Sequence, residues 1–159
     1  MKTFSISLMA CCITMLFIPN SVSAQNTKEL CKAQKQCVSN CSSNPEMAGI
    51  IKAIEYYVEG GRKGDSRITA KAFTSNATMS WSENGKIKTV PVKVLYDIVD
   101  KGGASTASYK LLDCNIDQSV AIVKIQSQFG SQEYIDMFTL VKDIENWKIV
   151  SKIYRIKNE

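Results

Sequence analysis

The sequence predicts an α+β domain in which helices lie on one face of an antiparallel sheet. Three observations lead to this fold class. An amphipathic helical stretch opens the domain, a hairpin signal and a further helical stretch follow it, and strand-like segments of about ten residues fill the last third of the chain. Helices followed by meandering strands are typical of α+β domains, whereas parallel α/β folds alternate the two elements.

The first 24 residues have the pattern of a secretory signal peptide. Lys2 gives a positive start, residues 4–18 are almost wholly apolar, and the letters SVSA supply small residues before a cleavage site after Ala24. The apolar run is shorter than the roughly 20 residues that a membrane span needs. A lipoprotein box ending at Cys11 is the weaker alternative, because only ten residues precede it. We therefore expect an exported protein, periplasmic or secreted, with no stable membrane span.

A polar arm, residues 25–43, is expected to separate this leader from the domain proper, residues 44–157. The arm holds three of the four cysteines that remain after leader cleavage. An even number of cysteines in an oxidising compartment predicts at least one disulfide, but two arrangements remain open. Either Cys114 pairs with the arm, or it is a buried thiol and the arm cysteines serve a partner. The disulfide candidates are Cys31, Cys37, Cys41 and Cys114.

Composition narrows the possible chemistry. The chain has 20 basic and 15 acidic residues, a formal charge of +5, and its basic residues are spread along the sequence, so we expect no nucleic-acid partner. The chain contains no histidine, which excludes histidine-dependent acid–base catalysis and histidine-activated Ser or Cys nucleophiles. A metal site would need thiolates or carboxylates alone. The sequence therefore predicts no metal site and no cofactor.

The first helix begins after Asn44, which is suited to cap it, and has an apolar stripe between residues 47 and 58. We expect Gly60-Gly61 to end this helix. Asp65 or Ser66 then caps a short second helix reaching about position 72.

A hairpin and a third helix follow. Asn84-Gly85 is a strong signal for a two-residue hairpin turn, and Pro91 and Gly102-Gly103 bound the next helical stretch. Four strands complete the chain, with breaks near 117–118, 130–131 and 145–146.

Asp136 stands among apolar residues of the penultimate strand. Two-residue turns place it opposite Arg155 across the last hairpin and opposite Ile125 across the preceding one. On this register Asp136 and Arg155 lie on the more apolar face, which helices cover, and Lys152 and Tyr154 lie on the other face. The arrangement fits the mouth of a ligand cavity, and it also fits a structural Asp136–Arg155 ion pair at the sheet margin, which cross-strand charge pairing favours.

The segments YYVEGGRKGD, NATMSW, YIDMFTLVK and WKIVSKIY resemble the nuclear transport factor two-like superfamily, and within it the SnoaL-like and lumazine-binding-like bacterial groups. The resemblance covers about residues 45–156. It implies a cone-shaped roll, in which a curved antiparallel sheet wraps a long helix and encloses a pocket. Many members dimerise through the open face of the sheet, which implies a homodimer. The turn IENW and the cysteine-bearing arm depart from the family pattern.

Two functions follow as hypotheses. The preferred one is a pocket-bearing module that binds a small molecule or serves association, without chemistry of its own. The alternative is an isomerase or dehydratase like ketosteroid isomerase, with Asp136 as general base and Tyr134 or Tyr57 donating to an enolate oxygen. The predicted ligand-pocket residues are Tyr57, Phe73, Trp81, Tyr134, Asp136, Phe138 and Arg155.

Overall fold

The computed structural model describes residues 44–144 and 146–157. The leader and the arm, with Cys31, Cys37 and Cys41, lie outside these residues. In chain order the elements are α1 (Met47–Lys63), α2 (Ser66–Thr69), β1 (Phe73–Glu83), β2 (Lys86–Pro91), α3 (Lys93–Gly102), β3 (Ala107–Asp117), β4 (Val120–Phe129), β5 (Gln132–Asp143) and β6 (Asn146–Ile156).

The predicted α+β fold class is confirmed. A curved sheet of six strands, in the order β2-β1-β6-β5-β4-β3, carries the helices on one face. The sheet is mixed rather than wholly antiparallel as predicted, because β1 and β6 run parallel while every other neighbouring pair is antiparallel. This pairing arises because α3 carries the chain from the β2 edge to the opposite edge, and the meander β3–β6 then returns to β1. None of the helices in the described residues is long and apolar enough to span a membrane.

The prediction that Gly60-Gly61 ends α1 is wrong. The helix continues to Lys63, and Gly64 terminates it in the left-handed conformation, with φ 62° and ψ 35°. Both earlier glycines are buried at close contacts. A Cβ on Gly60 would lie 1.9 Å from Thr69 Oγ1, and a Cβ on Gly61 would lie 2.4 Å from the ring of Phe129. Their small size lets α2 and the sheet approach the helix.

The capping prediction is wrong for α1 and confirmed for α2. Glu46, not Asn44, lies at the cap position of α1, and no side chain caps that helix. Asn44 Oδ1 instead accepts a hydrogen bond from Glu46 N at 2.9 Å, within the turn that leads into the helix. Asp65, rather than Ser66, caps α2, because its side chain accepts from Arg67 N at 2.9 Å. The second helix ends at Thr69, earlier than expected.

The hairpin turn at Asn84-Gly85 is confirmed, with both residues at positive φ and Glu83 paired with Lys86. The register between β4 and β5 also follows the prediction, with Asp136 opposite Ile125. The two-residue turn between these strands therefore sits where the sequence places it.

The last hairpin differs from its predicted register. Its turn occupies positions 144–145, so that Asp143 pairs with Asn146. Val150 is then an extra residue, because Leu140 pairs with Ile149 while Thr139 pairs with Ser151. This β-bulge reverses the inward and outward alternation for the remainder of β6.

The bulge changes which side chains of β6 face the helices. Tyr154, not Arg155, lies opposite Asp136. Lys152 turns inward and is 3% exposed, whereas Arg155 points outward and is exposed. The bulge alone reverses the predicted faces of Arg155, Lys152 and Tyr154, whereas the new partner of Asp136 reflects both the bulge and the shifted turn.

The core lies between α1 and the inner face of the sheet. Cys114 on β3 belongs to it, with 2% exposure and its Sγ 3.9 Å from Met47 Sδ. The largest fully buried apolar side chains are Ile50, Ile54, Val58, Val92, Val123, Ile125, Phe138, Leu140 and Ile149.

Candidate functional site

A buried carboxylate joins three strands and a helix. Asp136 on β5 is fully buried, and its Oδ2 accepts a hydrogen bond from Ser127 Oγ of β4 at 2.5 Å and from the Tyr57 hydroxyl of α1 at 3.3 Å. Its Oδ1 lies 2.7 Å from Nζ of Lys152 on β6. Oδ1 has no hydrogen bond of regular geometry from any residue that the structure describes, so its contact with Lys152 is chiefly electrostatic.

The electrostatics of this cluster follow from its burial. Desolvation lowers the pKa of the Lys152 ammonium, and the charge of Asp136 opposes that effect. Desolvation, followed by the charge of Asp136, raises the pKa of Tyr57 well above its ordinary value, so its hydroxyl remains a donor. The Lys152 ammonium also lies 3.9 Å from the centroid of the Tyr154 ring, a cation–π contact that favours its charged form.

A cavity of about 270 Å³ opens beside Lys152. It lies between α3, the last turns of α1 and the inner face of the sheet. Its walls are mainly apolar, and its polar groups come from Lys152, the three tyrosines at positions 57, 134 and 154, and Ser105. The apolar side chains that line it include Met79, Leu95, Ile98, Val99 and Phe129.

Two of the predicted pocket residues, Tyr57 and Tyr134, line this cavity. Asp136 does not line it, because Lys152 and Tyr57 stand between the carboxylate and the open space. Phe73 and Phe138 are buried in the core, with ring centroids 6.1 and 5.4 Å from that of Tyr57. These two phenylalanines support the Tyr57 ring from behind.

Trp81 and Arg155 lie apart from the cavity wall. Trp81 packs against Tyr154, with ring centroids 5.6 Å apart. The Arg155 guanidinium donates to the main-chain oxygens of Ile156 and Lys157 at 3.1 Å each, in an exposed position. The Asp136–Arg155 ion pair predicted from the sequence is therefore wrong, and Lys152 takes the place of the arginine.

Sequence reasoning missed Lys152 and Tyr154 of β6, and also the cavity-lining side chains of α3, Leu95, Ile98 and Val99. Strict alternation along β6 places both of its residues on the outer face, and nothing in the letters around Val150 marks a bulge. Only the polar neighbourhood of Asp136, with Ser127 and Tyr134 on the same face, was visible in the sequence.

The described residues contain no cluster of three or more Cys, Asp or Glu side chains that could hold a metal ion. The arrangement is suited to hydrogen bonding instead. Lys152 is the charged group that reaches the cavity, and Asp136 keeps it in place from behind. Tyr134 and Tyr154 add hydroxyls and ring faces to the wall.

Comparison with known proteins gives consistent results. The sequence model of one family, described as "Putative lumazine-binding", matches residues 45–155. Among solved structures, an NTF2-like protein of unknown function from Shewanella baltica is similar, with 31% identity and a TM-score of 0.65 over 70% of this chain and 93% of that one.

Two further structures are similar at lower identity, and they support the fold alone. An NTF2-like protein of unknown function from Methylobacillus flagellatus has 23% identity and a TM-score of 0.65, over 72% of this chain and 94% of that one. A ketosteroid isomerase-like protein from Erwinia carotovora atroseptica has 13% identity and a TM-score of 0.57, over 72% and 98%. No curated protein matches the sequence.

Proposed function

This chain belongs to the NTF2-like family described as "Putative lumazine-binding", and from that premise we propose that it binds a small molecule in the cavity beside Lys152. One observation carries the proposal. An apolar cavity has at its base a single ammonium that is almost completely buried and held by a second buried group, Asp136. Apolar walls with a few fixed polar groups are typical of ligand sites.

The size of the cavity limits the ligand. Its volume of about 270 Å³ lies just below the roughly 300–1,000 Å³ range of pockets for drug-sized molecules. A molecule of one or two fused rings suits this space, whereas a dinucleotide cofactor exceeds it. The cavity therefore favours a compact ligand whose apolar body contacts Leu95, Ile98 and Val99 of α3.

Binding has more support than general-base catalysis by Asp136. A base must reach the proton that it removes, at a distance of about 2.6–3.2 Å. Asp136 is fully buried, and its oxygens already face Ser127, Tyr57 and Lys152. Proton abstraction by this carboxylate would require those contacts to open first.

Native mass spectrometry of the protein purified from its own host tests the proposal. We expect a small molecule bound to wild type and absent from Ile98→Trp, which fills the cavity from its α3 wall. Val94→Trp is the matched control, since Val94 is also exposed on α3 but does not line the cavity. Equal ligand occupancy in both variants would place the ligand elsewhere, and the absence of any ligand under gentle purification would argue against the binding function.

We also propose a homodimer formed through the outer face of the sheet. Three apolar side chains cluster there on adjacent strands, Ile122 at 55%, Met137 at 44% and Ile153 at 53% exposure, and Met137 lies directly opposite Ile153. An apolar patch of this kind supports a protein interface. Sedimentation should show a dimer that Met137→Lys dissociates, while Ile144→Lys, in an exposed turn, leaves it intact. A monomeric wild type would contradict the dimer.

Export is proposed from the leader-like first 24 residues. Cell fractionation should find the protein outside the cytoplasm, and intact-mass measurement should give a chain beginning at Gln25. A cytoplasmic protein that retains Lys2 would contradict this.

A further inference from the structure

We propose that the ligand is an uncharged ring compound bearing a carbonyl group, and that its carbonyl oxygen accepts a hydrogen bond from Lys152 Nζ. This inference rests on the proposed binding function and specifies its chemistry. It follows from the N–H donors of Lys152, from the negative charge of Asp136 behind them and from the apolar walls of the cavity.

The first argument counts hydrogen-bond donors. A lysine ammonium has three N–H groups and no acceptor. The ammonium lies 2.7 Å from Asp136 Oδ1 as an ion pair, and the centroid of the Tyr154 ring lies 3.9 Å from it. Among the described residues no further acceptor receives an N–H from Lys152, although the side chain is 4% exposed and lines the cavity. Because Lys152 lines the cavity, a ligand oxygen at this point has a charged donor fixed in place by Asp136.

The second argument concerns ligand charge. The positive charge of Lys152 is already neutralised by Asp136. The carboxylate does not line the cavity, but it lies directly behind the ammonium. Burial, with a contribution from the charge of Asp136, raises the pKa of Tyr134 and of Tyr154, both of which line the cavity. The wall therefore disfavours a second negative charge. An anionic ligand would lose its hydration without gaining an unpaired cation.

Cationic ligands are disfavoured for a simpler reason. The charged group that they would meet first is the Lys152 ammonium, and this ammonium already lies on the face of the Tyr154 ring. An uncharged carbonyl avoids both penalties and accepts a charge-assisted hydrogen bond. The apolar side chains of α3 and the ring of Phe129 then enclose the rest of a compact ring system.

Four probes of one shape test this inference: indane, 2-indanone, indane-2-carboxylate and 2-aminoindane. Binding to the purified protein is followed by methyl NMR, with Leu95, Ile98 and Val99 as reporters of the cavity. Because hydrogen bonds to charged groups are stronger than neutral ones, we expect 2-indanone to bind about 10- to 100-fold more tightly than indane. Both charged probes should bind more weakly than the ketone.

Variants assign the selectivity to Lys152. The double variant Asp136→Asn/Lys152→Met removes both charges and keeps acceptors for Ser127 and Tyr57, so it remains interpretable if Lys152→Met alone does not fold. It should bind indane as wild type does and lose the preference for 2-indanone. Lys124→Met, on the outer face of β4, is the matched control and should keep that preference.

The outcomes separate this inference from the proposed function. If indane and 2-indanone bind the cavity equally, the cavity binds ligands but the carbonyl site is wrong. Tightest binding of the carboxylate would replace the carbonyl site with an anion site. Retention of the ketone preference in the double variant would remove Lys152 from the site. If no probe shifts the cavity methyl signals, the proposed function fails together with this inference.

Discussion

The ammonium of Lys152 lies 2.7 Å from Oδ1 of Asp136, and the two side chains are only 4% and 0% exposed. They are diagonal neighbours across β5 and β6, since Lys152 pairs with Phe138 and Asp136 pairs with Tyr154. Taking two charges out of water is expensive, and their attraction offsets this cost only with additional hydrogen bonds. The hydroxyls of Ser127 and Tyr57 supply those bonds to Asp136.

Removing one member of this pair should destabilise the fold strongly. Asp136→Asn leaves the Lys152 ammonium buried without its anion, and Lys152→Met leaves the carboxylate, so each should lower the free energy of unfolding by about 3–5 kcal/mol. The double variant should lose much less unfolding free energy than the two single variants together, because no buried charge remains. Urea denaturation measures all three.

An exposed ion pair provides the control. Lys88 Nζ lies 3.7 Å from Glu83 Oε2, and both side chains are about half exposed. Glu83→Gln should cost less than about 1 kcal/mol. Additive losses in the Asp136 and Lys152 variants would show that the two charges are not coupled.

Tyr57→Phe should change how stability depends on alkaline pH. The folded state raises the pKa of Tyr57, mainly by burial, so the folded protein keeps the phenolic proton longer than the unfolded chain does. This contribution is fully present below pH 10 and is lost as pH rises above 10, by up to about 1.4 kcal/mol per pH unit. The wild type should therefore lose stability faster than Tyr57→Phe above pH 10.

The titration of Lys152 changes the folding stability in the opposite direction over the same pH range. Burial lowers its pKa, so its deprotonation relieves a cost of the folded state as pH approaches 10.5. The difference between wild type and Tyr57→Phe isolates the tyrosine. Tyr56→Phe, a tyrosine of α1 that faces away from Asp136, should leave stability at neutral pH within about 0.5 kcal/mol. Parallel curves for wild type and Tyr57→Phe above pH 10 would contradict the assignment.

Asp65 should titrate at unusually low pH. Its carboxylate accepts hydrogen bonds from Nε and Nη2 of Arg67 at 2.9 and 2.7 Å, and these bonds lower the pKa of Asp65 from 3.8 to about 2. Its support of α2 is therefore present above pH 3.8 and is lost as pH falls through 2.

Carboxyl NMR measures this titration directly. Arg67→Gln should return the midpoint of Asp65 toward 3.8, because the side-chain bonds from Arg67 are the largest cause of the shift. Asp100 accepts hydrogen bonds from Ser66 N and Oγ, and these bonds should persist in that variant. A wild-type midpoint near 3.8 would show that the Arg67 contact does not persist in solution.

Gly60→Ala should test the close packing of α1 on α2. The added Cβ would lie 1.9 Å from Thr69 Oγ1 and 2.7 Å from Thr69 N. Overpacking of this kind costs about 1–3 kcal/mol, and Thr69→Ala should restore only part of the loss because the main-chain clash remains. Gly102→Ala meets no atom within 4 Å and should change the free energy of unfolding by less than about 1 kcal/mol. Equal effects of the two alanines in thermal unfolding would contradict the packing argument.

Local signals predicted the elements well. The Asn84-Gly85 turn, the cap at Asp65 and the register that sets Asp136 against Ile125 all depend on residues close in sequence. The end of α1 was mispredicted because the same glycine pair can end a helix or allow another element to pack closely against it. Only the contact between Gly60 and Thr69 distinguishes the two roles.

The candidate site was predictable in part. Period-two alternation correctly placed Asp136 and Tyr134 on the covered face, and the helical period did the same for Tyr57. Lys152, rather than Arg155, faces Asp136 because one extra residue in a strand moves every following side chain to the opposite face of the sheet. The bulge at Val150 is a property of the pairing between β6 and its two neighbours, β1 and β5.

The sequence by itself determined the order of the elements, the α+β class and the presence of a carboxylate on the inner face of the sheet. These features follow from residue periodicity and turn chemistry, which act over a few neighbouring residues. Only the tertiary structure decided that Lys152 neutralises Asp136 and that the cavity opens onto the lysine. The ion pair and the position of the cavity depend on strand register and on the approach of α3 to the sheet. Both are determined only when segments distant in sequence pack together.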